Sequence, residues 1–502
     1  MKADPLTDRR RSSLFLTDCA CVTVPPDQNL AMPYDNHAKT PRLRADSAWA
    51  LTSPVHAAMG APFPSAPRTK GNFTLRLILV LFCLLAASTS AVAESATFTF
   101  MKRVPAAELT RMLNAERQGF LASQHPGDGY ALPDVSTAAN DVDLYAVRYE
   151  SHVPEQGGKT IWATGLLALP VLPDHPKLPL ISYQHGTVYG KYEVPSYAFV
   201  PSNPSDYPHY DGAYETRYMT GLFAGNGYAL IAADYFGMGG DAADPEAYFV
   251  KASTQRASED LYLAAVKFLE SKNLTPTDLF IGGWSQGGLN TTGLLERLET
   301  DGIAVTAAFT ASAPSDPYAA LSGLAFYPRP GLDATWVNTI VALPVFAYEN
   351  YDGPTDLART TLDPSVYDDM KAIYTRSYPG QEGLKAIMQR LGDRPLLAYF
   401  QPRLRDPVAF ASSDFGKLLA RSETYRQSFK APLRMYYGSR DEVVKPMIGQ
   451  LAAIYQAILI GNLADQSANQ VSAVEVKGGT HRLTFITAAP AAKSWMDGLR
   501  HQ

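Results

Sequence analysis

Short apolar runs alternate with helical patterns along most of the chain from residue 140 onward. The runs cover residues 142–149, 160–169, 178–183, 228–233, 279–281, 305–311, 433–437 and 471–476. The first two show partial alternation, and prolines follow the second, which predicts an opening antiparallel pair. Continuous apolar strands with helices between them are typical of a parallel sheet covered on both faces. The pattern therefore predicts an α/β fold with a mostly parallel sheet and helices on both faces.

Two segments depart from this alternation. Residues 95–132 predict a peripheral helical region, because Leu109, Met112, Leu113 and Phe120 recur at helical spacing within 106–121. Residues 316–430 hold aromatic patches and helical patterns and are too long for a simple connection, so we interpret them as an inserted, mainly helical cap. The core is then assigned to residues 94–315 and 431–502.

The first 93 residues contain the pattern of a secretory signal. Basic residues precede the apolar run 77–87, and Ala91-Val92-Ala93 follows as a site for cleavage after Ala93. The run is shorter than the roughly 20 residues of a membrane span, although an uncleaved anchor is the alternative. The sequence thus predicts a secreted protein, periplasmic or extracellular, with no stable membrane span after cleavage.

The position of this signal within the chain requires an explanation, because signal peptides begin near the start of translation. We interpret Met59 as the possible true start, with residues 1–58 as an upstream leader. All three cysteines, at positions 19, 21 and 83, precede the cleavage site. The mature protein then contains no cysteine, and its size makes disulfides unnecessary.

Composition excludes several classes of function. The chain has 502 residues, a formal net charge of -5 and 46% hydrophobic residues, which indicates a globular protein. Without a basic stripe, nucleic acid is not expected as a partner. No phosphate-binding loop and no cluster with zinc spacing occurs, so we predict neither a cofactor nor a metal. The oligomeric state is not predictable from this sequence.

The most informative motif is Gly283-Trp284-Ser285-Gln286-Gly287. An apolar run precedes it, and leucines at helical spacing follow it, so the order is strand, G-x-S-x-G, helix. This order is typical of a nucleophile elbow, in which the serine adopts a strained backbone conformation that exposes its hydroxyl. We therefore predict that Ser285 is a nucleophile.

A serine nucleophile needs a base, and histidine is the usual one. Downstream of Ser285 only His481 and His501 remain, and His501 is the penultimate residue. His481 follows the predicted strand 471–476, at the sheet edge where catalytic groups collect in α/β folds. His481 is therefore the predicted base, and His185, which precedes the serine, is interpreted as structural.

The base in turn needs an acid that fixes its tautomer. Asp441 follows the predicted strand 433–437 and a glycine-containing loop, which makes it the preferred acid. Asp316 is the alternative, and Asp234 at the end of another strand is interpreted as structural. The resulting order Ser, Asp, His is the one expected for the α/β-hydrolase arrangement.

An oxyanion that forms during acyl transfer must be met by positioned N–H donors. The predicted oxyanion hole consists of Gln286, directly after the nucleophile, and Thr187 and Gly186 in the loop after strand 178–183. Thr187 N–H is the preferred second donor, and Gly186 would allow the close approach of its loop.

With these pieces, the chain resembles the α/β-hydrolase superfamily, in particular the secreted lipases and esterases of bacteria and fungi. The resemblance implies a cofactor-free serine hydrolase that acts on a small-molecule ester or lipid through an acyl-enzyme, with the cap shaping the pocket. A peptidase of the same fold is one alternative, because the same residues can cleave amides. A non-catalytic binding module that keeps the fold is the other.

Overall fold

A nine-stranded sheet forms the centre of the structure, a computed structural model that describes residues 95–173, 177–200, 213–240, 244–378, 380–460 and 470–500. The leader, the signal peptide with its cleavage after Ala93, the start at Met59 and His501 lie outside the described residues. The strands are β1 (Ala96–Val104), β2 (Val142–Val153), β3 (Lys159–Pro170), β4 (Lys177–Gln184), β5 (Ala229–Ala233), β6 (Thr275–Trp284), β7 (Ala307–Ala311), β8 (Leu433–Gly438) and β9 (Val471–Val476).

The strand order is β1-β2-β3-β5-β4-β6-β7-β8-β9. The six strands β4 to β9 pair in parallel, and β3 joins them antiparallel through β5. The predicted mostly parallel sheet and its opening antiparallel pair, β2 with β3, are confirmed. Parallel pairing places the carboxyl ends of β4, β6, β8 and β9 at one edge of the sheet, where the predicted site residues follow.

The expectation of a helical region throughout residues 95–132 is wrong at its start. Residues 96–104 form β1, which pairs antiparallel with β2 and lies at the sheet edge. Its Thr-Phe-Thr-Phe segment alternates with the period of a strand, and pairing with β2 satisfies its backbone. The predicted helix over 106–121 follows as expected.

Thirteen α-helices occur in the described ranges. They are α1 (Ala106–Leu121), α2 (Tyr214–Leu222), α3 (Lys251–Ser271), α4 (Gln286–Thr300), α5 (Pro317–Phe326), α6 (Ala342–Tyr351), α7 (Leu357–Thr361), α8 (Tyr367–Thr375), α9 (Gly380–Leu391), α10 (Pro407–Ser412), α11 (Asp414–Arg421), α12 (Leu451–Ile460) and α13 (His481–Asp497). None of them is long and apolar enough to cross a lipid bilayer.

The helices cover both faces of the sheet, as the continuous apolar strands predicted. Along β5, Leu230 and Ala232 pack into the core cluster of α1, α2 and α13, whereas Ile231 faces the cluster that contains α3 and α4. All five residues of β5 are buried. A strand between two helical layers must be apolar on both sides, which explains the lack of alternation in the sequence.

The insertion between β7 and β8 holds helices α5 to α11 and forms a mainly helical cap. It has its own aromatic centre, where the Phe410 ring lies 5.2 Å from that of Phe400 and 6.1 Å from that of Phe415. Arg376 of the cap forms an ion pair of 2.5 Å with the buried Glu246 of the core. The cap is therefore fixed to the core by packing and by a charge pair.

Candidate active site

Ser285 lies at the junction of β6 and α4, with φ 57° and ψ -123°. A positive φ is rare for a residue with a side chain and costs of order 1–3 kcal/mol, so surrounding contacts must maintain it. Ser285 N–H donates to the Ala311 carbonyl of β7 at 2.9 Å, which is one such contact. The strained turn that the sequence predicted at this position is present.

The two glycines of the motif make this turn possible. A Cβ at position 283 would lie 2.7 Å from the Gln184 carbonyl oxygen, and one at position 287 would lie 2.7 Å from the His185 oxygen and closer still to that of Gln184. Backbone atoms of the elbow therefore pack directly on the end of β4. Only glycine allows this close approach, which brings the loop after β4 next to Ser285.

His481 and Asp441 meet at the ends of neighbouring strands. His481 is the first residue of α13, and its Nδ1 lies 3.0 Å from Asp441 Oδ2 and 3.1 Å from Oδ1. Asp441 Oδ1 also accepts hydrogen bonds from Val443 N–H at 2.9 Å and Val444 N–H at 2.8 Å. With Nδ1–H donating to the carboxylate, Nε2 of the neutral ring is the basic atom.

Opposing effects act on the pKa of His481. Burial alone lowers the pKa, but the charge of Asp441 and its hydrogen bond outweigh burial, and Glu442 adds to them. The pKa is therefore raised from its ordinary value of 6.5. A raised pKa means that the ring gains basicity from the buried acid beside it.

Two further residues hold the backbone of His481, and the sequence analysis missed both. Trp284 Nε1–H donates to the His481 carbonyl at 3.1 Å, and Glu442 accepts from the His481 N–H at 3.0 Å. The indole and imidazole rings lie 5.1 Å apart between centroids. The sequence offered one signal for these two residues: Trp284 lies directly before Ser285, and Glu442 lies directly after Asp441.

The predicted oxyanion loop, residues 185–187, directly follows β4. Gly186 N–H donates to Glu215 Oε1 at 3.0 Å and Oε2 at 3.1 Å. The expectation that Gly186 belongs to the donors of the oxyanion hole is therefore corrected, since its N–H is committed to a buried carboxylate. Within the described part of the chain, the N–H groups of Thr187 and Gln286 make no hydrogen bond and remain available.

Ser285, His481 and Thr187 line one cavity of about 400 Å³. Such a volume is within the range of small-molecule sites. The cap contributes Trp336 and Ile340 to its wall, and Trp336 is 46% exposed. No hydrogen bond joins the hydroxyl of Ser285 to His481 in this state, and hydrogen bonds of this kind often tighten only when a substrate binds.

The other residues considered as acids or bases lie elsewhere. Asp316 caps α5 by accepting from Ala319 N–H at 2.9 Å, so it is not a partner of His481. His185 stacks on Tyr235 at 4.3 Å, and burial lowers its pKa to about 4. Asp234 is buried and accepts hydrogen bonds from Ser196, including one of 2.9 Å from its N–H. All three have local structural contacts.

No group of three or more His, Cys, Asp and Glu side chains is arranged to hold a metal ion in the residues that the structure describes. The charged side chains that line the cavity are Glu193, Glu442, His481 and Arg482. Ser285 and His481 in this cavity can supply nucleophilic and acid–base chemistry.

The sequence matches no protein-family model and no curated protein. The structure is similar to solved structures, among them a Legionella pneumophila protein provisionally assigned as a hydrolase (81% of this chain, 98% of that chain, 19% identity, TM-score 0.62). The rice cell wall degrading esterase LipA from Xanthomonas oryzae aligns with 80% of this chain and 98% of its own, at 20% identity and TM-score 0.60. Candida antarctica lipase A in its closed state aligns with 80% and 83%, at 15% identity and TM-score 0.53.

Identities of 15–20% establish a shared fold and leave substrate preference open. The alignments span nearly the whole length of the bacterial proteins and about four fifths of this chain. The protein therefore has the α/β-hydrolase fold, and its structure resembles those of esterases and lipases.

Proposed function

We propose that this protein is a secreted serine hydrolase that cleaves carboxylic esters through an acyl-enzyme, with Ser285, His481 and Asp441 as its catalytic triad. One observation carries the proposal. Ser285, in a strained turn at φ 57°, shares a cavity with His481, whose Nδ1 lies 3.0 Å from the Asp441 carboxylate. A nucleophile, a base and an acid that orients the base are the parts that acyl transfer requires.

In the proposed reaction, His481 Nε2 accepts the proton of Ser285 as the serine oxygen attacks the ester carbonyl. Asp441 keeps Nδ1 protonated and stabilises the imidazolium that forms. The imidazolium then returns the proton to the leaving alcohol, and an acyl-enzyme remains on Ser285. Water repeats the sequence and releases the acid.

The N–H groups of Gln286 and Thr187 are the proposed donors to the oxyanion. Both are without another partner in the described residues, and Thr187 lines the cavity beside Ser285. A donor that is already in place stabilises the charge only when it develops, and loss of one such donor typically lowers kcat by about 10²–10³.

Labelling with a fluorophosphonate tests the nucleophile. We expect stoichiometric labelling of the protein and none of Ser285→Ala. Ser312→Ala is a matched control, because Ser312 directly follows the neighbouring strand β7, also has a positive φ of 49°, and is buried. It should be labelled like the wild type. A protein that is not labelled at all would instead be a binding module.

Matched ester and amide substrates of graded acyl length test the reaction class. We expect the esters to be hydrolysed and the amides to remain uncleaved, because the structural neighbours are esterases and lipases. Preferential cleavage of the amides would assign the protein as a peptidase of the same fold.

The proposed export has a separate test. N-terminal sequencing of the secreted product should begin at Glu94, after the Ala91-Val92-Ala93 site. A product that starts before residue 88 would contradict signal cleavage without affecting the proposed chemistry.

A further inference from the structure

The carboxyl group of Glu215 lies behind the oxyanion loop. Glu215 is on α2 and only 3% exposed, and its two oxygens accept hydrogen bonds from Gly186 N–H at 3.0 and 3.1 Å. Tyr183 O–H of β4 donates to the same group at 2.5 Å. Both donors belong to the segment that leads to Thr187.

In the described ranges Glu215 forms no ion pair with lysine or arginine, and burial raises its pKa to about 7, although the bonds from Tyr183 and Gly186 and the charge of His481 lower it. A buried carboxylate without a paired cation costs folding free energy. Groups whose pKa is perturbed in this way are concentrated at functional sites.

The contacts of Gly186 affect Thr187, the next residue in the chain. The Gly186 peptide is anchored through its N–H, and the Thr187 hydroxyl shares a hydrogen bond of 2.7 Å with Tyr248. The backbone between these two anchors carries the Thr187 N–H, which has no other partner in the described residues. Two anchors on either side of one N–H fix its direction.

We propose that Glu215 is a positioning residue for ester cleavage, whose carboxylate anchors the Gly186 peptide so that the adjacent Thr187 N–H is held in place for the oxyanion. This inference rests on the proposed function. Glu215 itself is not among the residues that line the cavity, and it acts through the loop. Stabilisation of an oxyanion depends on donors held in place before the reaction, so a looser loop lowers transition-state binding more than substrate binding.

The titratable groups that interact with Glu215 come from four elements. They are Tyr183 of β4, Tyr214 of α2 itself, Tyr235 after β5, and His481 at the start of α13. Burial raises the pKa of each tyrosine, that of Tyr214 to about 12. The tyrosines therefore stay neutral near pH 7, where Glu215 changes charge.

The test compares Glu215→Gln and Glu215→Ala with Asp260→Asn, a matched control. Asp260 is an equally buried carboxyl group that accepts from Ser151 at 2.5 Å and has no contact with the cavity, and it differs from Glu215 in its ion pair of 3.1 Å with Arg256. With a p-nitrophenyl ester, we expect kcat to fall about tenfold in the alanine variant and about fivefold in the glutamine variant, while KM stays within about twofold. Asp260→Asn should keep the wild-type kcat even if its stability falls.

An alkyl boronic acid, which forms a tetrahedral adduct with a reactive serine, gives a second readout. Its inhibition constant should rise in proportion to the loss of kcat/KM, which a merely structural role of Glu215 would not produce. Wild-type kcat in either folded variant overturns the inference, and if the alanine variant does not fold, the glutamine variant decides. Failure of the proposed function is distinguishable, because the wild type itself would then not react with a fluorophosphonate.

Discussion

Replacement of Gly287 by alanine probes how the elbow and the oxyanion loop fit together. The new Cβ would lie 2.6 Å from the Gln184 carbonyl carbon and 2.7 Å from the His185 oxygen. Ordinary van der Waals contacts begin near 3.4 Å, and the Gln184 oxygen would lie closer still, so the end of β4 must recede by at least about 1 Å. Because Gln184 and His185 directly precede Gly186 and Thr187, the displacement reaches the proposed oxyanion donor.

A misplacement of this size can lower the rate about 100-fold, which corresponds to about 2.7 kcal/mol in the activation free energy. We expect kcat/KM for a p-nitrophenyl ester to fall by that factor, and the free energy of unfolding to fall by about 1–3 kcal/mol from overpacking. Ester hydrolysis and urea unfolding followed by circular dichroism measure the two effects separately.

Gly293→Ala on the same helix α4 is the matched control. A Cβ there would lie 3.4 Å from the Thr424 methyl group, an ordinary contact. Within a helix, alanine is favoured over glycine by about 0.5–1 kcal/mol, so this variant should be as active as the wild type and slightly more stable. Wild-type activity and stability in Gly287→Ala would refute the proposed packing of the elbow on the loop.

The remaining predictions concern the acid, the base and the cap. Asp441→Asn should remain folded and lose about 10⁴-fold in kcat, because the amide favours the wrong tautomer of His481; near wild-type turnover would exclude Asp441 as the acid. The pKa of His481 is raised above 6.5, and the ring must be neutral to act as a base. We therefore expect kcat/KM to increase with pH and to level off above an apparent pKa higher than 6.5. A pH–rate profile with its midpoint below 6.5 would contradict this expectation. Tyr378 O–H of the cap donates to the Tyr189 carbonyl, in the loop after β4, at 2.5 Å. Tyr378→Phe should therefore loosen this loop and lower kcat/KM about fivefold. An unchanged kcat/KM would show that this contact between the cap and the loop does not affect catalysis.

Much of the fold could be predicted because buried strands and amphipathic helices have different hydrophobic periods. The helix over 106–121 and the strand over 471–476 have the bounds that their patterns indicate. β1 was missed because most of its residues are exposed and its identity depends on pairing with β2. Pairing partners are distant in sequence, so local patterns contain little information about them.

Some residues of the candidate site could likewise be predicted from the sequence, and others could not. Ser285, Asp441 and His481 could be selected from the sequence because each follows a strand, and strand ends meet at one edge of a parallel sheet. Glu215, by contrast, has no motif of its own on α2. Its relation to Gly186 arises only when α2 packs beside the end of β4, which also withdrew Gly186 from the predicted oxyanion donors.

The amino-acid order by itself determined the α/β class, the elbow and the three side chains of the proposed triad, because these depend on periodicity and on local backbone geometry. Tertiary structure decided which N–H groups beside Ser285 have no partner among the described residues, which carboxyl groups are buried, and which cap residues line the cavity. Hydrogen-bond partners, burial and pKa values depend on groups far apart along the chain, and only packing brings those groups within reach of one another.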